Sequence, residues 1–431
     1  MKKDPARKSI SGFFYKYREI ILLLIVFFTA FFLRAYDMDG KYPFGWDQVD
    51  NAWAAKNILI NHQFPLVGMV AKGNAGFFIG PTYYYLVAFF YWLTNLNPAA
   101  SHDIALLASV FTFFVIFFVV KKIFSFKIAL LACLINSISA AGFYFDTVQW
   151  PVSFLPGVSL LIFYFLYKLL KGEERYVIFL ALITGLAFHL HFTAVFFPLI
   201  IILCIPFFPR SKKMLLYLFA SVPLFLIWFI PNLISQMQNS SQLSNLTNYL
   251  NTYYHGVHLT RFLQLTGDGL VQFDPFLSFA AIKPFKIFIL PLFLLIFFKE
   301  KFSKDRIILS YMILIFFLVP WFVFSTYKGE ISDYYFSINR FIALLTISYL
   351  LVRILSVKNW VVKFIVLGLL AYYSYFNLNI ILHYNDGGGL KNRFGKVNSY
   401  IRSNRRIEFQ EGAPDSYIYY YLMREKGTIA Y

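Results

Sequence analysis

The sequence predicts an all-α polytopic membrane protein, and three observations carry that class. Hydrophobic residues fill 59% of 431 positions and charged residues only 14%, where a soluble domain carries roughly a quarter charged. The apolar residues gather into runs approaching the ~20 positions that cross a hydrocarbon core about 30 Å thick. The basic residues (39 Lys+Arg against 21 Asp+Glu, net +18) cluster on alternate short loops, the pattern of cytoplasmic loops. This composition excludes a soluble globular enzyme, a disordered chain and a nucleic-acid-binding domain.

Taken in order, eleven spans are expected: 19–36, 103–121, 127–145, 153–171, 175–188, 192–208, 213–230, 285–299, 306–325, 340–356 and 360–381. No small-residue cleavage site follows Ile20–Leu33, so the first run is read as a retained span. The stretch 77–96 is ambiguous, and charge bias decides it. If it stays on one side, 22 of the 39 basic residues fall on one face of the membrane, in short loops such as Lys121/Lys122/Lys127 and Arg210/Lys212/Lys213. If it crosses, every later cluster lands outside. The stretch therefore reads as an interfacial or re-entrant helix whose Tyr83, Tyr84, Tyr85, Tyr91 and Trp92 suit the headgroup level. The N-terminus is then cytoplasmic and the C-terminus outside, in a cytoplasmic (plasma) membrane.

Three outer segments follow from this topology: a first loop 35–102, a late loop 231–284, and a tail 382–431. Residues 1–381 form the membrane domain. The tail starts at a Gly387-Gly388-Gly389 joint. Its patches at Tyr400-Ile401, Ile407 and Tyr417–Tyr421 suggest a helix and one or two strands, forming a small outer cap. Cys133 and Cys204 lie inside apolar runs, which excludes a disulfide framework or a CxxC metal site. No acidic or basic residue sits near the centre of any span. This argues against ion pumps and proton-coupled carriers, which need such groups, and puts any chemistry at a membrane surface.

The first loop is where acids concentrate: Asp37, Asp39, Asp47 and Asp50. Pro43 and Gly45 break structure, and Asp47 stands where a helix N-cap is expected. Ala52, Ala55, Ile58 and Leu59 then recur at helical spacing, giving an amphipathic helix lying along the membrane. Asp47 and Asp50 share one face of its first turn. Asp47 is either a cap or a carboxylate held at the water–lipid boundary, usable as a general base or metal ligand.

Several stretches resemble the GT-C glycosyltransferases, nearest to their protein O-mannosyltransferase and aminoarabinose-transferase branch. They are Asp47-Gln48 directly after the first span with His62-Gln63-Phe64-Pro65 beyond it, Gly80-Pro81-Thr82-Tyr83-Tyr84-Tyr85-Leu86, Gly185-Leu186-Ala187-Phe188-His189-Leu190-His191-Phe192-Thr193-Ala194, and Tyr334-Tyr335 before a late span. The resemblance covers residues 1 to about 380. It implies a sugar moved from a polyprenyl-phosphate donor, with inversion, to an acceptor on the outer face. That acceptor is a lipid, glycan or protein. The resemblance casts Asp47 as the base that activates the acceptor. Two departures stand out. Gln48 replaces the usual second acid, leaving Asp50 as a substitute, and Trp150, not an acid, precedes Pro151.

Beside Asp47, the candidate substrate-binding residues are Gln48, Asp50, Lys72, Asp146, His189, His191, Tyr334, Tyr335 and Arg340. Lys72 and Arg340 are either phosphate contacts or interfacial anchors. Asp146 is either a metal or phosphate ligand or a plain helix-end acid. His189 and His191 are either site residues or satisfied polar groups. A divalent cation (Mg²⁺ or Mn²⁺) is an option, with Asp47, Asp146 and His191 as its ligands. The rival readings are an oligosaccharide polymerase or ligase, suggested by the late loop, and a non-catalytic lipid or sugar carrier.

Overall fold

The computed structural model describes residues 5–71, 75–239, 241–256, 258–270, 286–403 and 413–427, with side chains from Tyr17 onward except those of 266–270. A helix occupies each of the eleven expected spans. The helices are α1 (Pro5–Ala35), α2 (Met38–Lys41), α3 (Trp46–Leu59), α4 (Thr82–Leu93), α5 (Ala100–Ile123), α6 (Phe126–Ile138), α7 (Ala140–Thr147), α8 (Leu155–Leu170), α9 (Tyr176–Ala187) and α10 (Phe196–Cys204). They continue with α11 (Lys212–Leu226), α12 (Ile230–Gln238), α13 (Ser241–Tyr253), α14 (Leu259–Leu270), α15 (Lys286–Glu300), α16 (Lys304–Phe324), α17 (Arg340–Leu355), α18 (Trp360–His383), α19 (Leu390–Arg402) and α20 (Pro414–Glu425). Among the described residues there is no strand, and five segments are long and apolar enough to cross a bilayer. The bent pair α6–α7 would make a sixth.

That bend is a departure from the straight span expected at 127–145. The axis turns by 71° at Ser139. Ser139 is extended, and its Oγ accepts from the Gly142 N–H at 3.1 Å, starting a new helix. Serine favours such caps because its hydroxyl competes with the helical ladder. The break frees the carbonyls of Asn136 and Ser137, and the Arg34 guanidinium fills the gap by donating to both, at 3.3 and 3.0 Å. A charged side chain thus completes the backbone hydrogen bonding that the kink interrupts.

Two cores result. The larger runs through the bundle and includes Phe163, Phe197, Met312, Ile342 and Leu345. The smaller joins the first outer loop to the tail: Val49, Ala52 and Ala55 of α3, Val87 and Tyr91 of α4, Val397 of α19, and Tyr417 and Ile418 of α20. Helix α4 is 12 residues long, about 18 Å, well short of a span. Tyr85, Phe89, Trp92 and Leu93 form its exposed face, an arrangement suited to the membrane interface.

Two further expectations are corrected here. The tail's Tyr417–Tyr421 run is helical, not a strand, and Tyr400-Ile401 lies in α19; Ile407 lies outside the described residues. Tyrosine-rich segments lean towards strands by local propensity. Here the buried positions Tyr417, Tyr420 and Arg424 repeat at 3–4 residues, and packing on α3 selects the helix. The second correction concerns α3, which begins at Trp46 with Gly45 as its N-cap, so Asp47 is not the cap.

Candidate active site

The capping of α3 explains both Gln48 and the freedom of Asp47. Gln48 Oε1 accepts from the Gly45 N–H at 2.8 Å, a capping-box contact. Its Nε2 donates to the Gln149 carbonyl, also at 2.8 Å. Gln149 Nε2 in turn donates to the Tyr83 hydroxyl at 2.8 Å. The residue in the place of a second acid is therefore a buried strut between the first loop and the segment after α7. Asp47, one position earlier, is half-buried beside it. Burial raises its pKa above the usual carboxylate range, and the Asp50 charge one turn on raises it further. The Asp50 carboxylate accepts from the Tyr84 hydroxyl at 2.6 Å. Burial raises its pKa too, and the Tyr84 bond opposes that.

Asp146 and Arg340 come together around Arg34, a residue that the sequence reading passed over as the end of a span. The Arg34 guanidinium is 2% exposed and donates to Asp146 Oδ2 from both Nε (3.0 Å) and Nη2 (2.5 Å). Asp146 is thus the counter-ion of a buried arginine, neither a plain helix-end acid nor an open metal ligand. Arg340 begins α17 and lies over the Phe145 ring at 5.1 Å. Its Nη2 is buried and has no hydrogen-bond partner among the described residues. The same holds for both side-chain polar atoms of the adjacent Asn339. A β-carbon at Gly142 would stand 2.9 Å from Arg340 Nη2, so any larger residue there would displace the guanidinium. Lys41 is a further residue that the sequence did not single out. Its buried ammonium lies 4.4 Å from the centre of the Tyr36 ring.

The two histidines have different roles. His189 Nδ1 meets Thr82 Oγ1 at 2.7 Å and the Thr82 N–H at 3.4 Å, and Nε2 lies 2.6 Å from the Trp228 carbonyl. A carbonyl only accepts, so Nε2 carries the proton and Nδ1 accepts. Burial lowers the pKa of His189 and keeps it neutral. Both ring nitrogens are used, making His189 a strut. Gly80 is required for it, because a β-carbon there would lie 2.2 Å from the ring. The stretches around Gly80 and Gly185, distant in sequence, therefore meet at this contact. His191 Nδ1 accepts from the Thr193 N–H at 3.2 Å, and its ring packs against Tyr334 and Tyr335. Tyr334 also packs on Trp150 at 4.9 Å, linking this aromatic group to the Gln149 segment.

Lys72 lies outside the described residues. Asp47, Asp146 and His191 are not brought together as ligands, and no group of three His, Cys, Asp or Glu able to hold a metal occurs among the described residues. Next to His189 and Gly80 opens an apolar cavity of about 490 Å³, walled by Phe77, Phe188, Phe192 and Leu246. The late loop closes over it, with Asn245 Nδ2 donating to the Gly76 carbonyl at 2.9 Å.

Residues 79–234 match the family model described as dolichyl-phosphate-mannose-protein mannosyltransferase. Among solved structures the chain is similar to ArnT from Cupriavidus metallidurans. The complex with undecaprenyl phosphate matches at 13% identity and TM-score 0.57, covering 96% of this chain and 76% of that one. The apo form matches at 12% identity and TM-score 0.58, covering 95% and 85%. The archaeal oligosaccharyltransferase AglB from Archaeoglobus fulgidus, in complex with an inhibitory peptide and a dolichol-phosphate, matches at 14% identity and TM-score 0.51, covering 95% of this chain and 60% of that one. No curated protein matches by sequence. At these identities the likeness is one of fold, and in fold this chain is similar to these membrane proteins.

Proposed function

We propose that this protein is a membrane glycosyltransferase that moves a sugar from a polyprenyl-phosphate-linked donor to an acceptor at the outer membrane face, with inversion. The observation that carries the reading is the presence of two unlike features: carboxylates at the start of α3, and buried polar groups without hydrogen-bond partners at the start of α17. Two carboxylates, Asp47 and the Tyr84-bonded Asp50, flank Gln48 in the first turn of α3. Buried polar groups without a hydrogen-bond partner among the described residues, Arg340 Nη2 and the Asn339 amide, stand at the N-terminus of α17. A helix N-terminus with a cation and an amide is suited to an anion such as phosphate. The apolar cavity beside His189 suits a polyprenyl chain. ArnT bound to undecaprenyl phosphate and AglB with a dolichol-phosphate support a lipid phosphate ligand.

In the reaction as read here, ionised Asp47 takes the proton from the acceptor hydroxyl as its oxygen attacks the anomeric carbon. The bond from that carbon to the phosphate oxygen breaks, and the lipid phosphate leaves with the electron pair. Arg340 and Asn339 stabilise the charge that develops on it. Asp50, bonded to Tyr84, raises the basicity of Asp47. The acceptor is a protein, lipid or glycan hydroxyl. The enzyme sits in the cytoplasmic membrane of a prokaryote, with its N-terminus inside and its C-terminus outside.

The test is transfer by purified protein in nanodiscs from radiolabelled polyprenyl-phosphate sugars, wild type against Asp47→Asn. Loss of a positioned base lowers kcat by about 10²- to 10⁴-fold. Equal rates would remove Asp47 as the base. Failure of the wild type with every mannosyl, glucosyl and aminoarabinosyl donor would overturn the enzyme reading.

A further inference from the structure

At the end of the bundle away from Asp47 the structure holds a second cavity, unlike the first in its chemistry. Helix α5 relates the two ends: its first residues, Ala100 and Ile104, belong to the core of the first outer loop, and Lys122 near its last turn lines this cavity. Twenty-four helical residues separate the ends by about 36 Å, roughly one bilayer. The cavity measures about 540 Å³ and is bounded by the ends of α5, α6, α8, α16 and α17.

Six cations line it: Lys122, Lys127, Lys168, Lys171, Arg306 and Arg353. Four have acidic partners. Lys168 pairs with Glu173, and Lys171 pairs with Asp305 at 2.8 Å. Arg306 and Arg353 share Glu300, at 3.2 and 2.6 Å. Three acids therefore face six cations, and the excess of positive charge includes Lys122 and Lys127, which have no ion pair among the described residues. Grouped cations that outnumber their acids repel one another, and an anion relieves the repulsion. The lining also includes the apolar Phe124, Phe297, Leu309 and Val352 and the amphipathic Tyr164 and Tyr167. Cations set beside apolar and tyrosine side chains at a helix-bundle end suit a phosphate carried on acyl chains. Basic pockets between the cytoplasmic ends of membrane helices are suited to such headgroups.

We propose that this cavity binds the phosphate of an anionic lipid headgroup from the leaflet opposite the Asp47 site, with Lys122 and Lys127 as its unshared cations. This site is separate from the donor-phosphate site, and the proposal does not depend on the catalytic reading.

The test uses the full-length protein in nanodiscs of phosphatidylcholine alone or with a graded fraction of phosphatidylglycerol, read by thermal midpoint and by lipid retention in native mass spectrometry. Phosphatidylglycerol is expected to raise the midpoint of the wild type. Lys122→Ala with Lys127→Ala is expected to weaken the lipid response about 30-fold, the loss expected for two lysines at an anionic surface. The double Arg variant is expected to restore it, and Lys358→Ala with Lys363→Ala, basic residues on the same face but outside the cavity, to leave it unchanged. Lys122, Lys127 and Lys358 are exposed and Lys363 is half-buried in α18, and the midpoint in pure phosphatidylcholine reports folding separately. Equal responses of wild type and Lys122/Lys127 variant would overturn the proposal. So would protection by inorganic phosphate with no response to phosphatidylglycerol, which would assign the cavity to a soluble phosphate.

Discussion

Tyr417 is the residue through which the C-terminal tail holds the helix that bears Asp47. Its side chain is fully buried and packs edge-on against Trp53 of α3 at 5.3 Å and Tyr91 of α4 at 5.8 Å. Its hydroxyl donates to the Leu96 carbonyl at 3.0 Å. Neighbouring contacts act in the same direction: Trp53 Nε1 donates to Ser416 Oγ at 3.1 Å, and Arg424 donates twice to Asn95. Tyr417→Phe removes one hydrogen bond, a loss of about 1 kcal/mol. Tyr417→Ala also removes a buried ring and leaves a cavity, a loss of about 3–5 kcal/mol. If the first loop and the tail open as one unit, amide exchange in α3 rises about fivefold in the Phe variant and on the order of 10²- to 10³-fold in the Ala variant. Exchange in α16 and α17, which belong to the other core, stays near wild type. Hydrogen exchange read by mass spectrometry in nanodiscs measures this directly. Unchanged protection of α3 in Tyr417→Ala would refute the tail as a clamp, and uniform loss across the bundle would refute the two-core description.

Three further predictions concern the charges. Arg34→Gln leaves Asp146 buried without its counter-ion and destabilises the protein by about 3–5 kcal/mol; Arg34→Gln with Asp146→Asn recovers much of the loss, and the thermal midpoints of both variants check this. Asp47 works as a base only when ionised, and burial, then the Asp50 charge, raise its pKa, so transfer falls as pH drops through that raised value. Asp50→Asn removes the repulsion and moves the acid limb of the pH–rate profile to lower pH; an unmoved limb would uncouple the two carboxylates. Arg340→Gln is expected to lower kcat/KM for a lipid-phosphate donor by about 10- to 150-fold, the range for a charged hydrogen bond of about 1.5–3 kcal/mol, measured in the same transfer assay.

How far each feature could be read beforehand depended on how local its cause was. Helices at the eleven expected positions followed from apolar runs, and five of the segments, six with the bent pair, are long and apolar enough to cross a bilayer. The inward face of α3 followed from spacing: Ala52, Ala55 and Ile58 are buried where the periodicity put them. Asp47 and Asp50 stood out because acids are scarce in this chain and these two share one helical turn. The bend at Ser139 was missed because a run of apolar residues looks the same whether straight or capped midway.

The sequence by itself determined the class of molecule, the placement of its helices and the loop that carries the acids, since hydropathy and helical period are properties of neighbouring residues. Only the tertiary structure decided what those acids face. Arg34 and Asp146 lie 112 positions apart and Gln48 and Gln149 lie 101 apart, and no periodicity connects them. Their pairing follows from burial, which makes an unmatched charge or amide too costly to leave alone. Arg340 Nη2 and the Asn339 amide are among the buried polar atoms without a hydrogen-bond partner in the described residues, and in the proposed reading the lipid phosphate satisfies them.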